Sequence, residues 1–125
     1  MDDKPERIET IGDVTVVRLI GRFSLQELLQ LVIASVAYAQ EERIKKLIVV
    51  TTDVTGARPP SITARYKFIH ELVRVSGRAV HIALVVRPEM IDKRNFGVTV
   101  AANEGLIANI FECEQDALAW LQVSK

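Results

Sequence analysis

The sequence predicts an α/β fold: a single domain with a five-stranded mixed sheet, first strand antiparallel, and about four helices. Three observations carry this. Short, almost wholly apolar runs at Val14–Ile20, Leu47–Val50 and Val80–Val86 read as strands covered on both faces. Longer stretches with apolar residues at helical spacing lie between them, and strands alternating with helices imply a mostly parallel sheet. The first two strands are separated only by Gly12-Asp13, a tight turn that forces them antiparallel.

The elements follow in order. Residues 1–5 read as a loose tail. Arg7 to Ile11 alternates weakly and turns at Gly12-Asp13 into the second strand, where Val14, Val16, Val17, Leu19 and Ile20 are apolar. Ser24-Leu25-Gln26-Glu27 is a capping box, in which the Ser24 hydroxyl and the Glu27 carboxylate each satisfy a free N–H of the first turn. Leu25, Leu28, Leu29, Val32, Ile33 and Val36 then form the buried stripe, with Lys45 and Lys46 past the helix end, where cations suit the dipole. Leu47 to Val50 is the third strand, and Thr51 to Pro60 reads as a polar loop. From Ser61 a second helix carries Ile62, Tyr66, Ile69, Leu72 and Val73 on one stripe and ends at Gly77. Val80 to Val86 is the fourth strand, stopped by Pro88. Asp92 to Asn103 reads as a third helix, Leu106 to Phe111 as the fifth strand, and Glu114 to Leu121 as a closing helix with acidic residues near its start.

Length and composition bound the function. A chain of 125 residues buries roughly two thirds of its unfolded surface and needs no staples. With 49% hydrophobic and 26% charged residues it has the balance of a globular domain. The one cysteine, Cys113, cannot form an internal disulfide, and Met1-Asp2-Asp3-Lys4 does not open a signal peptide, so a reducing, cytoplasmic setting is expected. Apolar runs such as Leu31–Ala34 and Ile82–Val86 are too short to span a membrane. Net charge is zero, yet residues 57–94 carry eight Lys or Arg against three Asp or Glu. Arg58, Arg65 and Lys67 within that stretch offer a basic patch to an anion or an acidic partner. No Lys/Arg run is dense enough for nucleic acid.

Catalytic chemistry is sparse. Neither His70 nor His81 has a Cys or His at metal-ligand spacing, so no metal is expected. A Ser61–His70–Asp53 triad fails, because His70 lies over two turns along the helix that Ser61 starts. Glu112 and Glu114 flank Cys113 and would oppose its ionisation, leaving an inert thiol or a helix cap. No glycine-rich phosphate loop is present. Asp53 reads as an organiser of its loop through backbone N–H bonds, Ser61 as an N-cap, Pro59-Pro60 as a stiff approach to it. Tyr66 at helical spacing reads as core, Phe68 as a pocket lining, and Trp120 as packing on one side of the sheet.

This order of elements, with GRFS closing the second strand and TTDVTG closing the third, resembles a STAS domain, the fold of bacterial anti-sigma factor antagonists and of the cytoplasmic tails of sulfate transporters. The resemblance runs from about Arg7 to Leu121. It rests on Gly21 before the first helix, on Asp53-Val54-Thr55-Gly56, and on Phe111 followed by Ala117-Leu118-Ala119-Trp120-Leu121. In the antagonists the second helix opens with Asp-Ser-Ser/Thr-Gly, and one hydroxyl is phosphorylated by the partner kinase. Here Pro59-Pro60-Ser61-Ile62-Thr63 keeps a hydroxyl at Ser61 but replaces the Asp by Pro60 and lacks the Gly. The resemblance implies a regulatory protein-interaction module with no catalytic residues, no cofactor and no metal. Its partner, expected to present an acidic surface, would meet Arg22 in the loop after the second strand, Asp53, Thr55, Arg58, Ser61 and Arg65. Ser61 and Thr63 are the hydroxyls open to phosphorylation. A dimer is compatible with the sequence. The alternative is a carrier or sensor of an apolar small molecule or lipid, which needs an enclosed cavity of roughly several hundred cubic ångströms beneath the second helix.

Overall fold

A computed structural model of the chain describes residues 6–76, 79–91, 102–103 and 105–123. Its sheet has the order β1-β2-β3-β4-β5, built from β1 (Glu6–Ile11), β2 (Val14–Arg22), β3 (Lys46–Thr55), β4 (His81–Val85) and β5 (Ala108–Phe111). β1 pairs antiparallel with β2, and the other neighbours are parallel. The helices are α1 (Leu25–Glu41), α2 (Ile62–Ser76) and α3 (Glu114–Val123), with one 3₁₀ turn, η1 (Pro88–Met90). Against about four helices expected, these three α-helices stand among the described residues. The fourth is the one expected over Asp92 to Asn103. Nearly all of that stretch lies outside the described residues, as does Gly77.

Side-chain alternation builds two cores from one sheet. In β3, Leu47 and Val49 face α1 and α2, whereas Ile48 and Val50 face α3. β4 repeats this, with Ile82 and Leu84 on the first face and Ala83 and Val85 on the second. α1 contributes Leu28, Val32, Val36 and Ala39 to the first core, and α2 contributes Ile69 and Leu72. Ala117 and Leu121 of α3 seal the second, where Trp120 packs on Phe111 with ring centroids 5.8 Å apart. The Ser24–Glu27 capping box forms as expected.

The structure corrects two expectations. β3 does not end at Val50; it continues to Thr55, so half of the expected polar loop is strand. β2 also runs on, past a register shift between Arg18 and Ile20, and the extensions pair Ile20 with Asp53, Gly21 with Val54 and Arg22 with Thr55. The polar Thr51 is buried because its hydroxyl donates to the Val85 carbonyl at 3.1 Å, so the strand carries it without an unsatisfied group. In α2, Ile62 and Tyr66 are exposed at 57% and 48%. They lie on the expected stripe, but burial begins only further along, at Phe68 and Ile69, so the first turns carry apolar side chains into solvent.

One long-range contact fixes α3. Arg18 of β2 donates through Nη1 and Nη2 to both oxygens of Glu114 at 2.6 Å, and through Nε to Glu9 of β1. These hydrogen bonds hold the Glu114 carboxyl below the usual carboxylate range and push the Arg18 guanidinium up.

Candidate functional site

The carboxyl ends of β2 and β3 form the rim to which the sequence points. Their ladder is closed by the Phe23 N–H, which donates to the Thr55 carbonyl at 2.8 Å. The chain then turns at Gly56 with φ +91°, so close to the neighbouring strand that a Cβ there would lie 3.0 Å from the Phe23 oxygen and 3.1 Å from Arg22 Cγ. On the other side, the Phe23 ring lies over Gly21, 3.1 Å from where a Cβ would stand. Two glycines and one aromatic ring thus lock the strand ends together. Arg22 is the last residue of β2 rather than a loop residue, and it stands opposite Thr55.

The side chains on this rim are exposed: Arg22, Asp53, Thr55 and Arg58. Asp53 is a strand residue facing solvent, and its carboxylate accepts no hydrogen bond among the described residues. The role expected of it, gathering loop N–H groups, is therefore not what shapes the turn; Gly56 and the Phe23–Thr55 bond do that. Ser61 caps α2, accepting from the Ala64 N–H at 3.1 Å through its hydroxyl and from the Arg65 N–H at 3.0 Å through its carbonyl. It remains exposed, as does Thr63. Beside it Ile62 and Tyr66 add apolar surface, and the Tyr66 ring meets His70 edge-on at 4.3 Å.

The basic stretch divides in two. Arg65 is half-buried and donates from Nη1 to the Met90 carbonyl at 3.1 Å, and Arg87 donates from Nε to the Thr52 carbonyl at 3.1 Å. These guanidiniums fasten α2 to η1, and the segment after β4 to the end of β3. Arg58 and Lys67 stay exposed, and Lys67 borders a shallow groove between α1 and α2 with Glu71. Sequence reasoning does not single out Arg87, because nothing marks a lone arginine as a carbonyl clamp.

Little here supports bond-making chemistry. His70 stands nine residues along the chain from Ser61, roughly 13 Å at the helical rise. Cys113 is exposed, and its carbonyl accepts from the Ala117 N–H at 3.4 Å, so this residue starts α3 through its backbone. Among the described residues no group of three or more His, Cys, Asp or Glu is placed to hold a metal ion, and no helix is long and apolar enough to cross a membrane. Beneath α2 lies an apolar cavity of about 90 Å³, lined by Leu28, Val32, Phe68, Leu84 and Ile110 among others.

No family model and no curated relative matches this sequence. Solved structures do match its fold. An anti-sigma factor antagonist from Mycobacterium paratuberculosis is similar with a TM-score of 0.59 at 14% identity, over 94% of this chain and 92% of the other. An uncharacterised protein from Shewanella loihica, described as having a SpoIIAA-like fold, is similar with a TM-score of 0.52 at 18% identity, over 93% and 91%. The likeness is one of fold, and in fold this chain is SpoIIAA-like.

Proposed function

We propose that this chain is a non-catalytic regulatory module that binds a protein partner through the rim formed by Arg22, Asp53, Thr55 and Arg58 and the start of α2 at Ser61. The observation that carries the reading is the extended β2–β3 ladder, which ends in exposed polar side chains and is followed in the chain by exposed Ile62 and Tyr66 at the start of α2. Apolar side chains ringed by polar ones are what a protein interface uses. The fold likeness to a structure named an anti-sigma factor antagonist supports a role of the same kind. Arg65 acts from behind, holding the Met90 carbonyl, and Asp53 contacts the partner directly. The partner presents acidic groups to Arg22 and Arg58, so association slows as salt rises.

The cavity under α2 supports a surface function over a carrier function. At about 90 Å³ it is far below the roughly 300 Å³ from which ligand pockets begin. Ser61 and Thr63 are accessible hydroxyls, and a phosphate on Ser61 would meet a helix N-terminus that favours it. Pro60 and Ile62 nonetheless stand where the antagonists carry Asp and Gly, so the module binds without being switched by an anti-sigma-type kinase.

The test is binding of the partner isolated from the native cell. Arg58→Glu and Thr55→Glu weaken it at least about tenfold with folding intact, and affinity falls with salt. Mass spectrometry of the native protein finds Ser61 unmodified. Stoichiometric phosphate there, with Ser61→Asp abolishing binding and Ser61→Ala preserving it, would make this a phospho-switched antagonist. Hydrolase or transferase turnover lost in Asp53→Asn would overturn the non-catalytic reading.

A further inference from the structure

We infer that the free edge of β1 pairs with β1 of a second copy of this chain, antiparallel and centred on Ile8. β1 is an outer strand of the sheet, so one of its edges carries backbone groups without a strand partner among the described residues. Natural edges are usually blunted by charged side chains, Pro or a bulge. β1 has no Pro, its pairing with β2 runs unbroken from Glu6 to Ile11, and its charged Arg7 and Glu9 are of opposite sign, so they repel a copy of the strand in some registers and match it in another. Ile8 and Ile11 on it are exposed at 46% and 43%.

Among two-fold registers that pair at least four residues of β1, the charge order selects one. In a two-fold antiparallel pair centred on Ile8, Arg7 lies opposite the partner's Glu9, Glu9 opposite the partner's Arg7, and Ile8 opposite the partner's Ile8. Centring on Arg7 or on Glu9 opposes like charges. Centring between Arg7 and Ile8 sets Arg7 against the partner's Ile8, and centring between Ile8 and Glu9 sets it against the partner's Thr10, so neither gives Arg7 a counter-ion. Arg7 has no carboxylate partner among the described residues, and it stands across from Arg18, itself already engaged by Glu9 and Glu114. In the register centred on Ile8 the partner's Glu9 supplies one.

An independent pattern agrees. Ile8 is in register with Val17, Val17 with Val49, Val49 with Leu84 and Leu84 with Ile110, an unbroken apolar row across the sheet on the α1/α2 face. Ile8 is its exposed end, and pairing with the partner's Ile8 continues the row into a second sheet. An interface this short lies below the usual size for stable complexes, so the dissociation constant is on the order of 10–100 μM. This surface is separate from the partner-binding rim, and either assignment stands without the other.

Sedimentation equilibrium of the full chain, followed from about 1 μM to 1 mM, tests it. Arg7→Glu and Glu9→Arg each weaken the dimer at least about tenfold, since each opposes like charges. Mixed together, the two variants form a one-to-one dimer with opposite charges again facing each other. Ile8→Cys in a Cys113→Ser background gives a disulfide-linked dimer on mild oxidation, which checks the register without disturbing a charge. A chain that stays monomeric over the whole range, a dimer indifferent to Arg7→Glu, or folded variants that fail to pair on mixing would overturn the inference.

Discussion

Replacing Gly56 by alanine tests how the candidate rim is held together. Two costs arise. A non-glycine residue at φ +91° gives up roughly 1–2 kcal/mol of backbone energy. The new methyl also stands 3.0 Å from the Phe23 carbonyl oxygen, and the Phe23 N–H is bonded to Thr55, so backbone rather than a flexible side chain must move; overpacking of this sort costs about 1 kcal/mol or more. The expected loss is about 2–3 kcal/mol. For 125 residues, an unfolding entropy near 2.1 cal/mol/K per residue turns that into a fall in Tm of about 8–11 °C. Gly12→Ala is the control. It also has positive φ, +62°, but open space around the would-be Cβ, so only the backbone cost of about 1–2 kcal/mol applies. Urea unfolding monitored by circular dichroism measures both, and amide shifts at Arg22, Phe23 and Thr55 should move in Gly56→Ala alone. A Gly56→Ala loss below about 1 kcal/mol, or one no larger than that of Gly12→Ala, would show that close approach at this glycine does not clamp β2 to β3.

Two further outcomes follow from the hydrogen bonds. Glu114→Gln should lower stability at neutral pH by about 1 kcal/mol or less, because the pair with Arg18 is bidentate but the Glu114 side chain is 42% exposed and screened by solvent. As the Glu114 carboxyl is depressed in the folded chain, its contribution is present above the ordinary value of 4.5 and lost as pH falls through the folded value; the gap between wild type and variant in unfolding titrations should close in acid, and a gap that widens there contradicts the assignment. Ser61→Ala should cost about 1 kcal/mol as a lost N-cap, whereas Thr63→Ala, exposed and not bonded to a helix N–H among the described residues, should stay within about 0.5 kcal/mol; equal losses in thermal unfolding would deny Ser61 the capping role.

Much of the fold is legible in the sequence because burial on two faces leaves apolar runs that few other arrangements tolerate. Leu47 to Val50 and Val80 to Val86 read as inner strands, and β3 and β4 run through them; Ser24 with Glu27 marks the start of α1. The end of β3 is hidden by chemistry: Thr51, Thr52, Asp53 and Thr55 are polar, and their strand state depends on β2 running on beside them, a long-range fact. Thr51 adds a hydroxyl that the Val85 carbonyl satisfies, which no local pattern announces. Ile62 and Tyr66 fit the helical period but outrun the surface that α2 packs on, so periodicity wrongly assigns them to the core. For the site, residue types and neighbourhood are readable, since strand ends and a helix start follow one another in the chain. What is not readable is which cations are committed to carbonyls. Arg65 and Arg87 look no different in sequence from Arg58, yet of the three only Arg58 is left facing solvent.

Photocrosslinking in the native cell asks whether the β2–β3 rim and the start of α2 form a protein-binding surface. A photoreactive side chain would replace Thr55 or Arg58 on the rim, and Gln40 or Gln122, equally exposed but remote in the chain, as controls. We expect one dominant crosslinked protein from positions 55 and 58, absent from the controls and suppressed when Arg22→Glu is added. Crosslinks equally strong from positions 40 and 122, or a partner captured there and not from the rim, would rule the rim out as the binding surface.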